Sequence, residues 1–323
     1  MKGKLGMKNH GIIFVLIFIL TAGMILAVAG CGNNQSTQSA SSPNAAKKVK
    51  IGYSGGACEA FIFAAYEKGF FRDEGLDAEL VKVDFDTLKE ALTTGKIQAS
   101  DGMPMKWVKP FEQGIDATFT AGIHTGCFQL LVPRNSAIKT PADLQGKKIG
   151  INAMGDSPMI FTMRVLYHAG LDPKTAVEWR AYPPAELAGA LERGEVAAIA
   201  LNDPLAQMAI DSGKAVKLVS TAADEPFKTE YCCMATISGQ FMREDPAGAA
   251  AVTRALMKGA RWVAENQDEI AQLMVEKKYV PGNPELISRV LKAYNYIPSV
   301  EGGRQAVDLA ITEMKTIGVL DPN

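Results

Sequence analysis

Residues 49–83, VKIGYSGGACEAFIFAAYEKGFFRDEGLDAELVKV, decide the fold class because they contain two predicted strands and a helix in close succession. The strands are predicted at 49–53 and 76–83. Apolar residues at helical spacing predict the helix over residues 59–68, after the glycine-rich turn at 54–56. A strand, a helix and a strand at such short spacings indicate a mostly parallel sheet covered by helices on both faces.

The same alternation recurs downstream. Further strands are predicted at residues 97–100, 147–152, 177–180 and 195–201, and further helices at 87–94, 159–168 and 185–192. Within this pattern, LKEALTTGKI at 88–97 aligns with LAGALERGEV at 187–196, and a strand of small residues and a polar turn follow each segment. Two copies are too few for a stacked repeat protein, so we predict two similar α/β lobes.

The first 31 residues have the order of a secretion signal. Lys2, Lys4 and Lys8 precede an apolar run, and small residues stand directly before Cys31. This arrangement resembles the bacterial lipobox, whose cysteine becomes the lipid-modified first residue of the mature protein. A transmembrane helix is the alternative because the apolar run approaches spanning length. The missing basic stop-transfer cluster and the cysteine favour a signal peptide over residues 1–30 and a lipid anchor at Cys31.

The rest of the chain is predicted to be a tethered extracytoplasmic body. Residues 31–48 are mostly small and polar, which predicts a flexible tether to the outer face of the membrane or in the periplasm. The signal segment holds three of the 34 basic residues and no acid, so 31 basic residues face 35 acidic ones beyond it, a formal charge of −4. This balance excludes nucleic acid as a partner. Only His124 and His168 follow the signal, which excludes multi-histidine metal sites.

Residues 67–77, EKGFFRDEGLD, resemble a signature of periplasmic-type solute-binding proteins. Shorter matches follow in the same order: ADLQGKKIG at 142–150, LERGEV at 191–196 and NDP at 202–204. The family in question serves ABC importers for nitrate, sulfonates, taurine and thiamine pyrimidine precursors. Together the matches extend over about residues 49–204, and the helical C-terminal third is compatible with them.

The resemblance implies an α/β, two-lobed periplasmic-binding-protein fold of type II, with two similar, mostly parallel sheets joined by a two-segment hinge. The crossovers are expected near residues 126–135 and 227–236. Lobe 1 would comprise residues 49–133 plus 235–323, and lobe 2 residues 134–234. Such a monomer captures a small-molecule ligand between its lobes and delivers it to an ABC permease and its ATPase. It needs no cofactor and catalyses no reaction.

Ligands of open α/β sheets bind beyond the carboxyl ends of the strands. This rule and the predicted topology place the following candidates at the cleft: Ser54, Gly55, Gly56, Ala57, Cys58, Met103, His124, Cys127, Gly155, Asp156, Ser157, Asn202, Asp203 and Cys232. Helix starts at two of these loops suit an anion. The alternative is that the glycines only make turns and that Ser157 only caps a helix. The acids Glu59 and Asp156 favour a zwitterion or a cation over a strong anion.

Four cysteines, Cys58, Cys127, Cys232 and Cys233, are predicted to converge around the hinge and the cleft. An extracytoplasmic compartment favours disulfides, for example between Cys58 or Cys127 and one of the adjacent pair. Inert buried thiols are a second interpretation. The third is a site for a soft metal, a cluster or a thiol-reactive solute, with His124 as an extra ligand. The cysteine spacing matches no standard zinc or ferredoxin pattern.

Two other functional classes remain open at this stage. Eukaryotic thiamine-pyrimidine synthases share the fold and have a multi-cysteine segment, so an enzyme is one alternative. The predicted lipobox opposes it, because a cofactor-building enzyme outside the cell would lack its substrates. A thiol-rich metal or cluster carrier, or an extracytoplasmic sensor, is the other alternative.

Overall fold

Two β-sheets organise the part of the chain that the computed structural model describes, residues 46–322. The strands are β1 (Lys47–Tyr53), β2 (Leu76–Lys82), β3 (Ala99–Gly102), β4 (Ala117–Thr125), β5 (Phe128–Pro133), β6 (Lys148–Ile151), β7 (Glu178–Ala181), β8 (Ala198–Asn202), β9 (Ala215–Ser220), β10 (Tyr231–Ser238) and β11 (Asn295–Ser299). The predicted signal peptide, Cys31 and most of the tether lie outside the described residues.

The α-helices are α1 (Ala60–Glu67), α2 (Phe70–Asp73), α3 (Phe85–Thr93), α4 (Pro104–Glu112), α5 (Ser157–His168), α6 (Leu187–Glu192), α7 (Leu205–Asp211), α8 (Gly239–Glu244), α9 (Pro246–Glu265), α10 (Gln267–Glu276), α11 (Pro284–Ala293) and α12 (Val300–Thr316). Short 3₁₀ helices lie at Ala57–Glu59, Pro141–Leu144, Pro184–Glu186 and Phe227–Thr229. Within residues 46–322, no helix combines the length and the apolar character needed to cross a bilayer.

The first sheet has the strand order β11-β4-β10-β3-β1-β2, and the second has the order β7-β6-β8-β5-β9. In the first sheet β1 pairs in parallel with β2 and β3, whereas β10 is antiparallel to β3 and β4. In the second sheet β6 pairs in parallel with β7 and β8, and β5 is antiparallel to β8 and β9. Both sheets are therefore mixed, with a parallel portion in each. We call each sheet with its helices the first lobe and the second lobe.

The chain passes between the sheets twice. It leaves the first sheet after Thr125 and enters the second at Phe128, and it returns between Ser220 and Tyr231. Two sequence-based boundaries differ from these positions. Strand β5 pairs in the second lobe, although the sequence predicts residues 128–133 in lobe 1. All of β10 pairs in the first lobe, although the sequence predicts residues 231–234 in lobe 2. The apolar segment FQLLVP suits either sheet, and partners distant in sequence decide its place.

Strand β1 also begins earlier than the predicted end of the tether. Lys47 and Lys48 pair with Leu76 and Asp77 of β2, so the ladder extends two residues before the predicted start at Val49. Helix α1 then lies in the interior, with Phe61 and Phe63 fully buried. A Cβ atom built on Gly259 of α9 would lie 2.3 Å from the carbonyl oxygen of Phe61. This close approach joins the C-terminal helices to the first lobe.

Candidate functional site

The loop after β1 surrounds a carboxylate of the protein itself. The side chain of Glu59 accepts the backbone N–H groups of Ser54 at 2.6 Å, Gly55 at 2.6 Å and Gly56 at 2.7 Å. The Ser54 hydroxyl donates to it as well, at 3.0 Å. Gly55 has a φ of +104°, a conformation that a residue with a side chain adopts only with strain. The amides that were expected to bind a ligand anion are thus occupied by Glu59.

A second buried acid, Asp101 near the end of β3, lies beside Glu59. Glu59 is fully buried and Asp101 is 6% exposed. Burial, followed by repulsion from Asp101, raises the pKa of Glu59, although the three amide donors oppose this shift. Burial also raises the pKa of Asp101, and its hydrogen bonds to Glu59 and Ser100 work against the rise. The pair therefore holds a proton between its two carboxyl groups near neutral pH.

Two of the four body cysteines remain thiols, and they meet at this acid pair. Cys58 and Cys233 are free and buried, and they hydrogen-bond to each other. Their sulfur atoms and a carboxylate oxygen of Asp101 lie within 4.8 Å of one another. Burial raises the pKa of Cys233. The hydrogen bond to Cys233 lowers the pKa of Cys58, but burial and the two carboxyl groups outweigh it, and the net shift is upward.

The other two cysteines form a disulfide across the hinge. Cys127 lies in the first crossover and Cys232 lies just after the second, and their Cα atoms are 6.6 Å apart. The bond connects residues 105 positions apart in sequence. The disulfide interpretation therefore holds for this pair only. Cys58 and Cys233 stay outside it, and the sulfur atom of Cys233 lies within 4.8 Å of both disulfide sulfurs.

His124 is a packed residue of β4 and does not face the thiols. Its Nε2 lies 3.1 Å from the carbonyl oxygen of Cys58, and its Nδ1 lies 3.1 Å from the carbonyl oxygen of Thr125. The ring stacks on Tyr294 with centroids 4.9 Å apart. Burial lowers the pKa of His124 to about 4. The expectation that His124 adds a ligand to the thiols is wrong, because both ring nitrogens are directed at backbone carbonyls.

A cavity of about 390 Å³ opens between the lobes. Phe85, Lys89 and Met105 line it from the first lobe, and residues 153–156 line it from the second. Gly155 has a φ of +75°, and a Cβ atom built there meets nothing within 4 Å. Its neighbour Met154 is 65% exposed. This cavity brings the candidates Gly155 and Asp156 together with basic and aromatic side chains of the first lobe.

Lys106 and Asp156 close one side of this cavity. The Nζ of Lys106 lies 3.1 Å from Oδ1 of Asp156 and 4.0 Å from the ring centroid of Phe85. Sequence reasoning missed Lys106 and Phe85. Lys106 lies in the first turn of α4, directly after the polar turn that ends β3. Its closeness to the carboxyl end of a predicted strand was the sequence feature that could have identified it as a site residue.

Unpartnered polar atoms lie where α5 begins. Asp156 is the N-cap residue of α5 and accepts the backbone N–H of Ser157 at 2.8 Å. Ser157 is fully buried, and its Oγ has no hydrogen-bond partner among the described residues; the same holds for Oδ1 of Asn152. Buried polar atoms are normally paired, so these two are exceptions at the start of α5, but neither residue lines the cavity.

Other predicted site residues connect the lobes from within. Asp203 is buried and accepts from Gln129 Nε2 at 2.9 Å, the Gln207 N–H at 3.2 Å and the Tyr294 hydroxyl at 3.3 Å. Burial raises its pKa to about 6. Asn202 ends β8 and pairs with Phe128. Two remaining candidates occupy the starts of helices. Met103 is the N-cap residue of α4, and Ala57 is the first residue of a 3₁₀ helix.

Further ion pairs hold the lobes together. Arg164 of α5 is 1% exposed and pairs with Glu230 of the second crossover and Glu313 of α12. Arg289 of α11 pairs with Asp211 of α7. With Lys106–Asp156 and Tyr294–Asp203, these contacts describe a closed arrangement of the two lobes.

The sequence profile of the NMT1-like family matches residues 42–275. The chain belongs to the NMT1-like family. The match includes both crossovers, the thiols and every cleft candidate named above.

Individual relatives of this NMT1-like protein agree with that assignment. The nitrate/nitrite binding protein NrtA of Nostoc sp. strain PCC 7120 is 22% identical over 311 residues, with 81% of this chain and 70% of the relative aligned. The alkanesulfonate-binding protein SsuA of Xanthomonas axonopodis, solved with MOPS, is similar with a TM-score of 0.70, 20% identity and coverage of 84% and 94% of the two chains. Periplasmic NrtA of Synechocystis PCC 6803 gives a TM-score of 0.69 at 16% identity, with 85% and 82% coverage. The predicted family and the type II periplasmic-binding-protein fold are confirmed.

Proposed function

We propose that this protein is the extracytoplasmic solute-binding component of an ABC importer and that it captures a small solute in the cavity between Lys106 and residues 153–156. The observation that carries the proposal is the interlobe cavity of about 390 Å³ with a lysine and an aromatic ring of the first lobe facing residues 153–156 of the second. Closure of two lobes around a ligand supplies affinity and a signal to a permease without any reaction. Relatives that are named as nitrate- or sulfonate-binding proteins support this role.

The solute is proposed to carry an anionic group of the sulfonate or nitrate class. Lys106 is its recognition group, because its ammonium lies at the cavity wall and contacts a side chain, Asp156, that an anion can replace. Phe85 covers the other side of Lys106 and offers an apolar surface to an alkyl or ring portion. The amides of the loop 54–56 do not contribute, since Glu59 occupies them.

The experiment is a calorimetric titration of the full chain with nitrate, taurine, an alkanesulfonate and a pyrimidine. Binding of one of these solutes, and its loss in Lys106→Gln, is the expected result. Lys214→Gln is the matched control, because Lys214 also forms an ion pair, with Glu192, but lies outside this cavity. A solute that binds both variants equally would place the site elsewhere.

Anchoring through a lipid on Cys31 is part of the proposal. It rests on the sequence of the first 31 residues, which lie outside the described structure. A diacylglyceryl group would hold the protein at the outer face of the membrane, near its permease and ATPase. Intact mass measurement of the mature protein tests it. A chain that begins at a residue other than Cys31, or that lacks the lipid mass, would refute the anchor.

A further inference from the structure

Three neighbouring strands bring two thiols and a carboxylate to one edge of the first sheet. The order is β10-β3-β1, with β10 antiparallel to the other two. The beginning of β10 therefore lies at the same edge as the ends of β3 and β1. Cys233 is near the beginning of β10, Asp101 is near the end of β3, and Cys58 follows β1. The topology itself assembles this cluster.

We propose that Cys58, Cys233 and Asp101 form a zinc site at the first-lobe edge of the cleft. The site is independent of the proposed solute, and no role in solute capture is needed for it. Thiolate sulfur and carboxylate oxygen are both zinc ligands, and a pair of thiolates excludes the hard cations Mg²⁺ and Ca²⁺. Three protein ligands leave the fourth tetrahedral position to water.

The observed separations fit this coordination. The two sulfur atoms and the carboxylate oxygen lie within 4.8 Å of one another. Zinc–sulfur and zinc–oxygen bonds of about 2.3 and 2.1 Å at tetrahedral angles put neighbouring ligands roughly 3.6 Å apart. Binding of zinc would require the three side chains to move closer together by about 1 Å. The 3₁₀ turn and the two strands that carry the ligands hold them on rigid backbone.

The composition of the surrounding cluster is compatible with a bound cation. Cys58, Cys233, Asp101 and Glu59 are four acidic side chains in one buried cluster, and Lys106 is the positive group that acts on Asp101. Without a metal, protons must neutralise these groups. A divalent cation replaces the protons on the two thiols, as metal binding to thiols generally does. Glu59, fixed by three backbone amides, then orients Asp101 by the hydrogen bond between the two carboxyl groups.

The disulfide excludes Cys127 and Cys232 as ligands, so the proposed zinc site is restricted to Cys58, Cys233 and Asp101. Cys127, Cys232 and Cys233 also lie within 4.8 Å of one another, but two of these sulfurs are bonded to each other. A disulfide sulfur does not provide the thiolate that zinc requires. An extracytoplasmic compartment keeps that bond intact, so Cys58 and Cys233 are the thiols left for the ion.

The test is zinc binding by the full chain, purified without oxygen, chelator or reductant so that the disulfide and the thiols both persist. Elemental analysis after dialysis should give one zinc per chain for the wild type. Cys58→Ser and Cys233→Ser should each lose it, and Asp101→Asn should weaken it at least tenfold. The matched control is the double variant Cys127→Ser with Cys232→Ser, which removes two neighbouring sulfurs but keeps the proposed ligands and should retain one zinc.

Circular dichroism establishes that each variant is folded. Should a cysteine variant fail to fold, the wild type still decides the matter through cobalt substitution and thiol counting. Two-thiolate coordination predicts sulfur-to-cobalt charge-transfer absorption and zinc protection of both free thiols from alkylation. The proposal is overturned by a wild type that binds no zinc, by zinc retained in folded Cys58→Ser, or by zinc that binds only after the disulfide is reduced.

Discussion

The ammonium of Lys106 in the first lobe lies 3.1 Å from the carboxylate of Asp156 in the second. The two side chains are 20% and 16% exposed, so this ion pair is partly shielded from solvent. Both side chains line the cavity that we propose for the solute. Any anion that binds Lys106 must therefore compete with a carboxylate of the protein itself.

This competition predicts that Asp156→Asn binds an anionic solute more tightly than the wild type. Asparagine is as good an N-cap residue as aspartate, so α5 keeps its cap while Lys106 loses its competitor. A several-fold increase in affinity, measured by calorimetry and reduced at high salt, is expected. Unchanged or weaker binding in a folded variant would show that Asp156 does not compete for the ligand of Lys106.

The two glycines that flank α5 provide a second prediction. Gly155 and Gly170 have φ values of +75° and +78°, and a Cβ atom at either position meets nothing within 4 Å. Each change to alanine should cost about 1 kcal/mol of stability, because the left-handed backbone conformation is strained for a residue with a side chain. Urea unfolding should give similar losses, whereas solute affinity should fall only in Gly155→Ala. Equal affinities would indicate that Gly155 is a turn glycine without contact to the solute.

The alternation of strands and helices could be predicted from local patterns. Gly69 and Gly170 both adopt positive φ at the ends of helices, where their lack of a side chain was the visible signal. The place of β5 could not be predicted in this way. Its apolar residues fit either sheet, and pairing with β8 and β9, far along the chain, decides it.

The sequence predicted the loop of Ser54, Gly55 and Gly56 but not the group that its amides bind. Ser54, Gly55 and Gly56 do form a cradle of amides, but a carboxylate within the chain satisfies them as well as a ligand does. The choice of Cys232 over Cys233 as the partner of Cys127 likewise depends on the geometry of two crossovers. Spacing along the sequence contains no information about that choice.

The hinge disulfide should be a major stabilising bond. Linking residues 105 positions apart restricts the unfolded chain, and a native disulfide of this kind contributes about 2–4 kcal/mol. The double variant Cys127→Ser with Cys232→Ser should lose this amount in denaturant unfolding. Under chelating conditions, adding a thiol reductant should destabilise the wild type but leave the variant unaffected. An equal effect of reductant on both proteins would contradict the assignment.

The last prediction concerns pH and Asp203, which joins the second lobe to Tyr294. Burial raises the pKa of Asp203 from its ordinary 3.8 to about 6, so the folded state binds more protons than the unfolded state between these values. The protonated acid is the form that folding favours. Its contribution to stability is complete below pH 3.8 and is lost as pH rises through 6, by at most about 3 kcal/mol.

Asp203→Asn should therefore gain stability relative to the wild type as pH rises from 4 to 7. The comparison removes the opposite effect of His124, whose pKa of about 4 costs stability as pH falls. Asp211→Asn, at an exposed interlobe pair with Arg289, is the control, and urea unfolding at several pH values measures each difference. A constant difference between Asp203→Asn and the wild type over this range would show that Asp203 titrates normally in the folded protein.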